Sequence, residues 1–119
     1  MAVGGSANST LDRAIANGNV RQIEIAAIAC DFVPLHQALA ICLVYLRSAP
    51  DRYDAAASRF LERLIAEHRP PIGMASTIAA ALAAAPHPAA LSALASCLKA
   101  LGLERAGAVV RAQGTEART

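Results

Sequence analysis

Apolar residues recur at helical spacing along nearly the whole chain. The clearest pattern runs from Asp51 to about His68, where Tyr53, Ala56, Ala57, Phe60, Leu61, Leu64 and Ile65 fall on one face. Arg52, Asp54, Ser58, Arg59, Glu62, Arg63 and Glu67 fall on the other, as an amphipathic helix requires. Asp51 and Asp54 give this helix an acidic start that suits the helix dipole. Arg69-Pro70-Pro71 ends it, because a residue that precedes proline is steered away from helical ψ. The preceding segment, Pro34 to Arg47, carries Leu35, Ala38, Leu39, Cys42 and Leu46 on one side and Ile41, Val44 and Tyr45 on the other. A helix apolar nearly all round is one that other elements cover on several sides.

The same periodicity predicts five further helices. Leu11 to Ala16 starts at Ser9 or Thr10 and stops at Asn17-Gly18. Asn19, with Gln22 three residues on, opens a second helix that runs through Cys30 with Val20, Ile23, Ala27 and Cys30 inward. Beyond the Pro70-Pro71 break, Met74 to Ala84 turns Met74, Ile78 and Leu82 inward. Pro88 to Leu101 presents Leu91, Leu94, Ala95, Leu98 and Leu101, with Gly102 placed as its C′ residue. Leu103 to about Ala112 presents Leu103, Ala106 and Val110, weakened at Gly107 by about 1 kcal/mol relative to alanine.

The longest charge-free run, Pro70 to Leu98, raises the question of a membrane span. Pro86-His87-Pro88 interrupts it with two residues that lack an N–H, so no continuous helix of the roughly 20 residues that a bilayer requires passes through. Two short helices paired in water are expected, and no membrane. Short connections then predict antiparallel neighbours. The expected fold is all-α, a compact bundle or stacked helical hairpins of about six to seven short helices, in a single domain over residues 10–112 with flexible tails at 1–9 and 113–119. Ala14 to Val20 echoes the helix-turn-helix of an ankyrin unit. The spacing of 24 residues between the Leu-x-x-Ala starts at Leu11 and Leu35 does not fit a 33-residue repeat, and no third copy follows.

Composition sharpens this picture in two ways. Alanine supplies 30 of the 119 residues and aromatics four (Phe32, Tyr45, Tyr53, Phe60), a bias toward helix and away from strand. Small side chains let helix axes approach closely while Leu and Ile fill the remaining volume. The net charge of +2 is close to balance and lacks the basic excess usual in nucleic-acid-binding domains. Ten of the 11 basic residues are arginine, a bias that a GC-rich genome gives together with abundant alanine.

The segment Val33-Pro34-Leu35-His36-Gln37-Ala38-Leu39 through Arg52-Tyr53-Asp54-Ala55-Ala56-Ala57-Ser58-Arg59-Phe60-Leu61 resembles small all-helical proteins of high-GC bacteria that have no assigned activity. The resemblance covers about half the chain. It implies a free-standing helical domain and assigns a role to no individual residue.

Candidate chemistry is sparse. Cys30, Cys42 and Cys97 are odd in number and far apart, so neither a disulfide framework nor a zinc site is expected, and reduced thiols in the cytoplasm are. The first eight residues show no basic n-region and no apolar run, which also points to the cytoplasm. Cys42 and Cys97 read as buried and inert, and Cys30 as a thiol whose pKa Asp31 raises. His36 reads as a hydrogen-bonded structural histidine, His68 as a cation in the last turn of its helix, and His87 as an exposed turn residue. No carboxylate pair, metal-ligand spacing or phosphate loop points to a catalytic residue, a metal or a cofactor. One surface feature has direction: Arg52, Arg59 and Arg63 fall within about 40° of one another on a helix. This stripe is the candidate partner-binding site, set against a solvated face in which Glu62 and Glu67 pair with Arg59 and Arg63.

The expected function is therefore a non-enzymatic helical protein–protein interaction module, an adaptor or regulator whose partner is another protein or a second copy of the chain. The alternative is a nucleic-acid-binding regulator that uses the arginine stripe, although aromatics for stacking are missing from that face. A small-ligand binder or enzyme with a pocket among the helices is the third.

Overall fold

The helix with two apolar sides lies at the centre of the molecule. In a computed structural model that describes the backbone of residues 2–118 and the side chains of residues 7–113, seven helices follow one another. They are α1 (Ala2–Asn17), α2 (Val20–Ala29), α3 (Leu35–Ser48), α4 (Pro50–His68), α5 (Ile72–Ala84), α6 (Pro88–Ala100) and α7 (Glu104–Arg118). Among the described residues there is no strand, and no helix is long and apolar enough to cross a membrane.

Helix α3 packs on α4, α4 on α5, α5 on α6 and α6 on α7, and α7 returns to α3, so five helices close a ring. The α1–α2 hairpin lies against α3 as a separate layer. That closure makes the fold a bundle rather than a linear stack of hairpins. Its radius of gyration of 13.7 Å is close to the roughly 13.5 Å expected of a compact chain of this length.

Two cores share α3. Leu35, Leu39, Cys42, Leu43 and Tyr45 face the ring, against Phe60 and Leu64 of α4, Ile78 and Leu82 of α5, Leu91, Leu94 and Leu98 of α6 and Val110 of α7. Val44 faces the other way, into a smaller core made by Leu11 and Ala14 of α1 and Ile23 and Ala26 of α2. Ile41 touches both. Gly107 is buried where α7 meets α6, and a Cβ there would stand 3.3 Å from the Arg111 guanidinium and 3.9 Å from the Ala95 carbonyl. The glycine that weakens α7 as an isolated helix thus sits where α7 closely approaches α6.

Polar contacts tie the layers. The Tyr53 hydroxyl donates to the Leu82 carbonyl (2.6 Å) near the end of α5, and burial pushes its pKa up to about 12. Gln37, 2% exposed, donates through Nε2 to the Asn8 carbonyl (3.0 Å) and to Asp12 Oδ1 (2.7 Å), and its Oε1 accepts from Asn8 Nδ2 (2.8 Å). One buried amide thereby fastens α1 to α3, and full pairing is what makes its burial tolerable.

Several boundaries differ from expectation. Helix α1 begins at Ala2, so Ser9 and Thr10 lie inside it rather than at its start, and α7 continues to Arg118 rather than stopping near Ala112. Of the expected tails, the side chains of 1–6 and 114–119 lie outside the described residues. Asn8 and Gln113, which are within them, are both bonded to α3, to Gln37 and to Arg47 (2.5 Å). Ile65, expected inward, is 43% exposed, and Cys97 is half-buried. The Asn19 cap on the Gln22 N–H (3.0 Å) is present as the sequence predicts. So is the left-handed Gly102 after α6 (φ 78°).

Candidate protein-docking face

Asn19 and the turn at Gly18 set the rotation of α2. With Ile23 and Ala26 buried against α1 and α3, a helix turning 100° per residue carries Arg21, Ile25 and Ile28 on its outer side, within about 60° of one another. Ile25 is 61% and Ile28 86% exposed. Phe32, just beyond the helix, is 60% exposed. Three of the five large apolar side chains exposed among the described residues therefore lie within eight positions of one helix and its exit. Between α1 and α2 runs a groove of about 460 Å³ with Ala14, Ala26 and Ala29 in its lining and Arg13 and Ile25 at its sides.

The linker from α2 to α3 is held on both sides. Asn8 Nδ2 donates to the Phe32 carbonyl (3.1 Å) and Arg63 Nη1 to the Val33 carbonyl (2.8 Å). The Arg63 guanidinium lies 5.1 Å from the Phe32 ring centroid, a cation–π distance. The aromatic ring is thus presented by a fixed loop.

The three arginines of the predicted stripe meet different fates. Arg52 pairs with Glu24 of α2. Arg63 pairs with Glu67 (3.1 Å), as the solvated-face reading anticipates, but also reaches across to Val33 and Phe32. Its Nη2 is enclosed without a hydrogen-bond partner among the described residues. Arg59 is exposed, does not pair with Glu62, and has no ion pair or hydrogen bond among the described residues. It does act electrostatically on Cys42 and Tyr45 of α3. Because Arg52 and Arg63 both reach α2 or its exit, Arg59 between them faces the same side. The stripe is thus joined at Arg52 to Glu24 of the helix that carries the exposed isoleucines, and at Arg63 to the loop that follows it.

A second concavity, about 360 Å³, opens at one end of the ring between the start of α3, the end of α4 and the α6–α7 turn. Phe32, Leu35 and Leu103 give it an apolar lining, beside His36, His68, Glu67, Glu104 and Arg105. His36 is half-buried and has no hydrogen bond among the described residues, so the structural role expected of it belongs to its neighbour Gln37. Burial lowers its pKa from the ordinary 6.5, Arg105 lowers it further, and Asp12 opposes them. The folded state favours neutral imidazole, so its contribution to stability is complete above pH 6.5 and is lost as the pH falls through the lowered value. An NMR titration is expected to place the His36 midpoint below 6.5, and Arg105→Ala is expected to raise it. A midpoint at or above 6.5 in the parent chain would refute that account.

Burial pushes the Cys42 thiol up to about 12, which makes it a poor nucleophile. Cys30 is raised by burial first and by Asp31 second. Among the described residues no three His, Cys, Asp or Glu side chains converge as metal ligands. His87 caps α6, its Nδ1 accepting from the Ala89 N–H (3.2 Å).

No family model, curated protein sequence or solved structure matches the chain.

Proposed function

We propose that the protein is a helical protein–protein interaction module that docks a partner on the outer face of α2. The observation that carries this reading is the exposure of Ile25 and Ile28 on a helix whose opposite side is already packed. Scattered apolar residues on a surface need no explanation, but a contiguous group at helical spacing beside a fixed aromatic is the mark of an interface. The face is built on two helices and a doubly tethered loop, so little ordering is needed on binding.

A nucleic-acid interface on α4, with Arg47 and Arg69 at the helix ends, has less support, because Arg52 and Arg63 are engaged by Glu24, Glu67 and Val33, leaving Arg59 as the one arginine of the stripe without an ion pair among the described residues. The end cleft sets one arginine and two histidines beside two carboxylates and favours no one ligand class.

A photo-crosslinking side chain placed at Ile28 in the cell that makes the protein is expected to yield an adduct with another polypeptide. The same group at Glu62, on exposed α4 surface, serves as the control. Ile28→Asp is expected to weaken the captured interaction about thirtyfold, as removal of an interface anchor does, with the helical circular dichroism unchanged. Adducts no more frequent at position 28 than at 62 would defeat the proposal.

A further inference from the structure

We infer that the α1–α2 hairpin is a hinged lid on α3, latched at its free end by the ion pair of Glu24 with Arg52, and that it opens while the five-helix ring stays closed. The inference is independent of what docks on α2. Helix α3 is apolar on two sides, and the ring closes over one of them. On the other, Val44 is 2% exposed because it packs with Leu11 and Ala14 of α1 and Ile23 and Ala26 of α2. Two of those four covering residues are alanines, which bring little apolar area, whereas the ring core is built largely of leucine with Phe60 and Ile78. Burial of so small a set stabilises the hairpin less than the ring stabilises itself.

The polar fastening is graded along α3. Where the chain enters α3, the contacts are directional and sheltered: Gln37 holds Asn8 and Asp12, Asn8 also holds the Phe32 carbonyl, and the Arg63 guanidinium donates to the Val33 carbonyl. These surround residues 30–34, the non-helical connection in which Cys30 and Pro34 both have extended backbone. That connection is the hinge, and Arg63 is its pin. Toward the Gly18 turn the hairpin is held by Val20, half-buried against the ring core, and by Glu24 on Arg52, which stands in the first turn of α4 just beyond the end of α3. The side chains of that pair are 41% and 47% exposed, and an exposed pair contributes little and weakens with salt. A layer fixed firmly at its hinge and loosely at its far end swings away from that end. Two arginines of the stripe thereby act within the chain, one as latch and one as hinge pin, and opening bares Val44 and Ile41 of α3.

Cys42 and Val44 make the test possible, because they lie two residues apart on α3, each 2% exposed, one under the ring and the other under the lid. Val44→Cys, in the full chain with Cys30→Ser and Cys97→Ser, is alkylated with N-ethylmaleimide, and each thiol's rate is referred to its own rate in urea. The thiol at position 44 is expected to react about a hundredfold faster than Cys42. Glu24→Gln and Arg52→Gln are each expected to speed position 44 about threefold, the double variant no further, and an increase from about 0.05 to about 0.5 M salt to do the same, with Cys42 unmoved throughout. Equal rates at the two positions would overturn the lid, and a fast position 44 that neither substitution nor salt alters would overturn the latch. Because cysteine removes part of the packing of valine, native-state hydrogen exchange of the unsubstituted chain gives a second reading. Amides of Ile23 to Ala27 are expected to exchange about a hundredfold faster than those of Leu39 to Leu43 after correction for intrinsic rates. Equal protection there would overturn the lid whatever the thiols show.

Discussion

Replacing Phe60 by alanine is expected to lower folding stability by about 3–5 kcal/mol, the range for removing a large buried aromatic. The ring is 1% exposed and belongs to the core that all five ring helices share. Most of the remaining core is leucine and alanine, and alanine has no side-chain freedom with which to fill the space left behind, so relaxation will be small. Against a total of about 5–15 kcal/mol for a domain, the variant should melt roughly 10–20 °C lower. Phe60→Leu, which retains most of the volume, should lose about 1 kcal/mol. Thermal and urea unfolding followed by circular dichroism will read both. A loss below about 1 kcal/mol for alanine would mean that the ring is not closed around α4 in the way described.

Phe60 was visible in the sequence because it belongs to a helix with a sharp division between apolar and charged faces. The same holds for Leu64 on α4 and for Leu91, Leu94 and Leu98 on α6, and prolines marked the breaks on either side. The two-sided burial of α3 was also legible, since no single packed face accommodates Leu39, Val44 and Tyr45 together. Alanine was the obstacle elsewhere. Ala26 is buried and Ala27 only partly so, but both are small and weakly apolar, so the pattern does not say which way α2 is rolled. The return of α7 to α3 is a contact between distant segments with no local signature.

The proposed docking face had a signal that the arginine stripe obscured. Ile25 and Ile28 fall opposite Ile23 and Ala27 on a helical projection, and a β-branched apolar residue on the outer side of a short helix invites the question of what covers it. Phe32, one of only four aromatics, follows directly. The three arginines of the stripe lie on α4. The partners that α2 and its exit loop supply to Arg52 and Arg63 depend on tertiary placement, and Arg59 alone keeps the character read from the sequence.

Gln37 was the least legible residue of all, because a glutamine between histidine and alanine on an apolar helix reads as a gap in the stripe. Its replacement by leucine is the second large effect expected. Three hydrogen bonds disappear, one of them to the Asp12 carboxylate, and the Asn8 amide and carbonyl must find water in a site now lined by a methyl group. The loss should be about 2–3 kcal/mol, as for a buried polar network missing one member. It should also be local. The α1–α2 hairpin packs on the ring through α3, with one exposed ion pair from Glu24 to Arg52 of α4, and shares with α3 a small core of Leu11, Ala14, Ile23, Ala26 and Val44, so weakening its polar fastening lowers the free energy at which it opens and spares the ring. Hydrogen exchange on Gln37→Leu is therefore expected to show faster exchange across α1 and α2, with the amides of α4 and α6 protected as before. Because Asn8 also holds the Phe32 carbonyl (3.1 Å), the same variant should loosen the Phe32 loop and, on the proposed docking reading, weaken the interaction captured at Ile28. Uniform acceleration in all seven helices would show instead that the hairpin and the ring unfold as one unit.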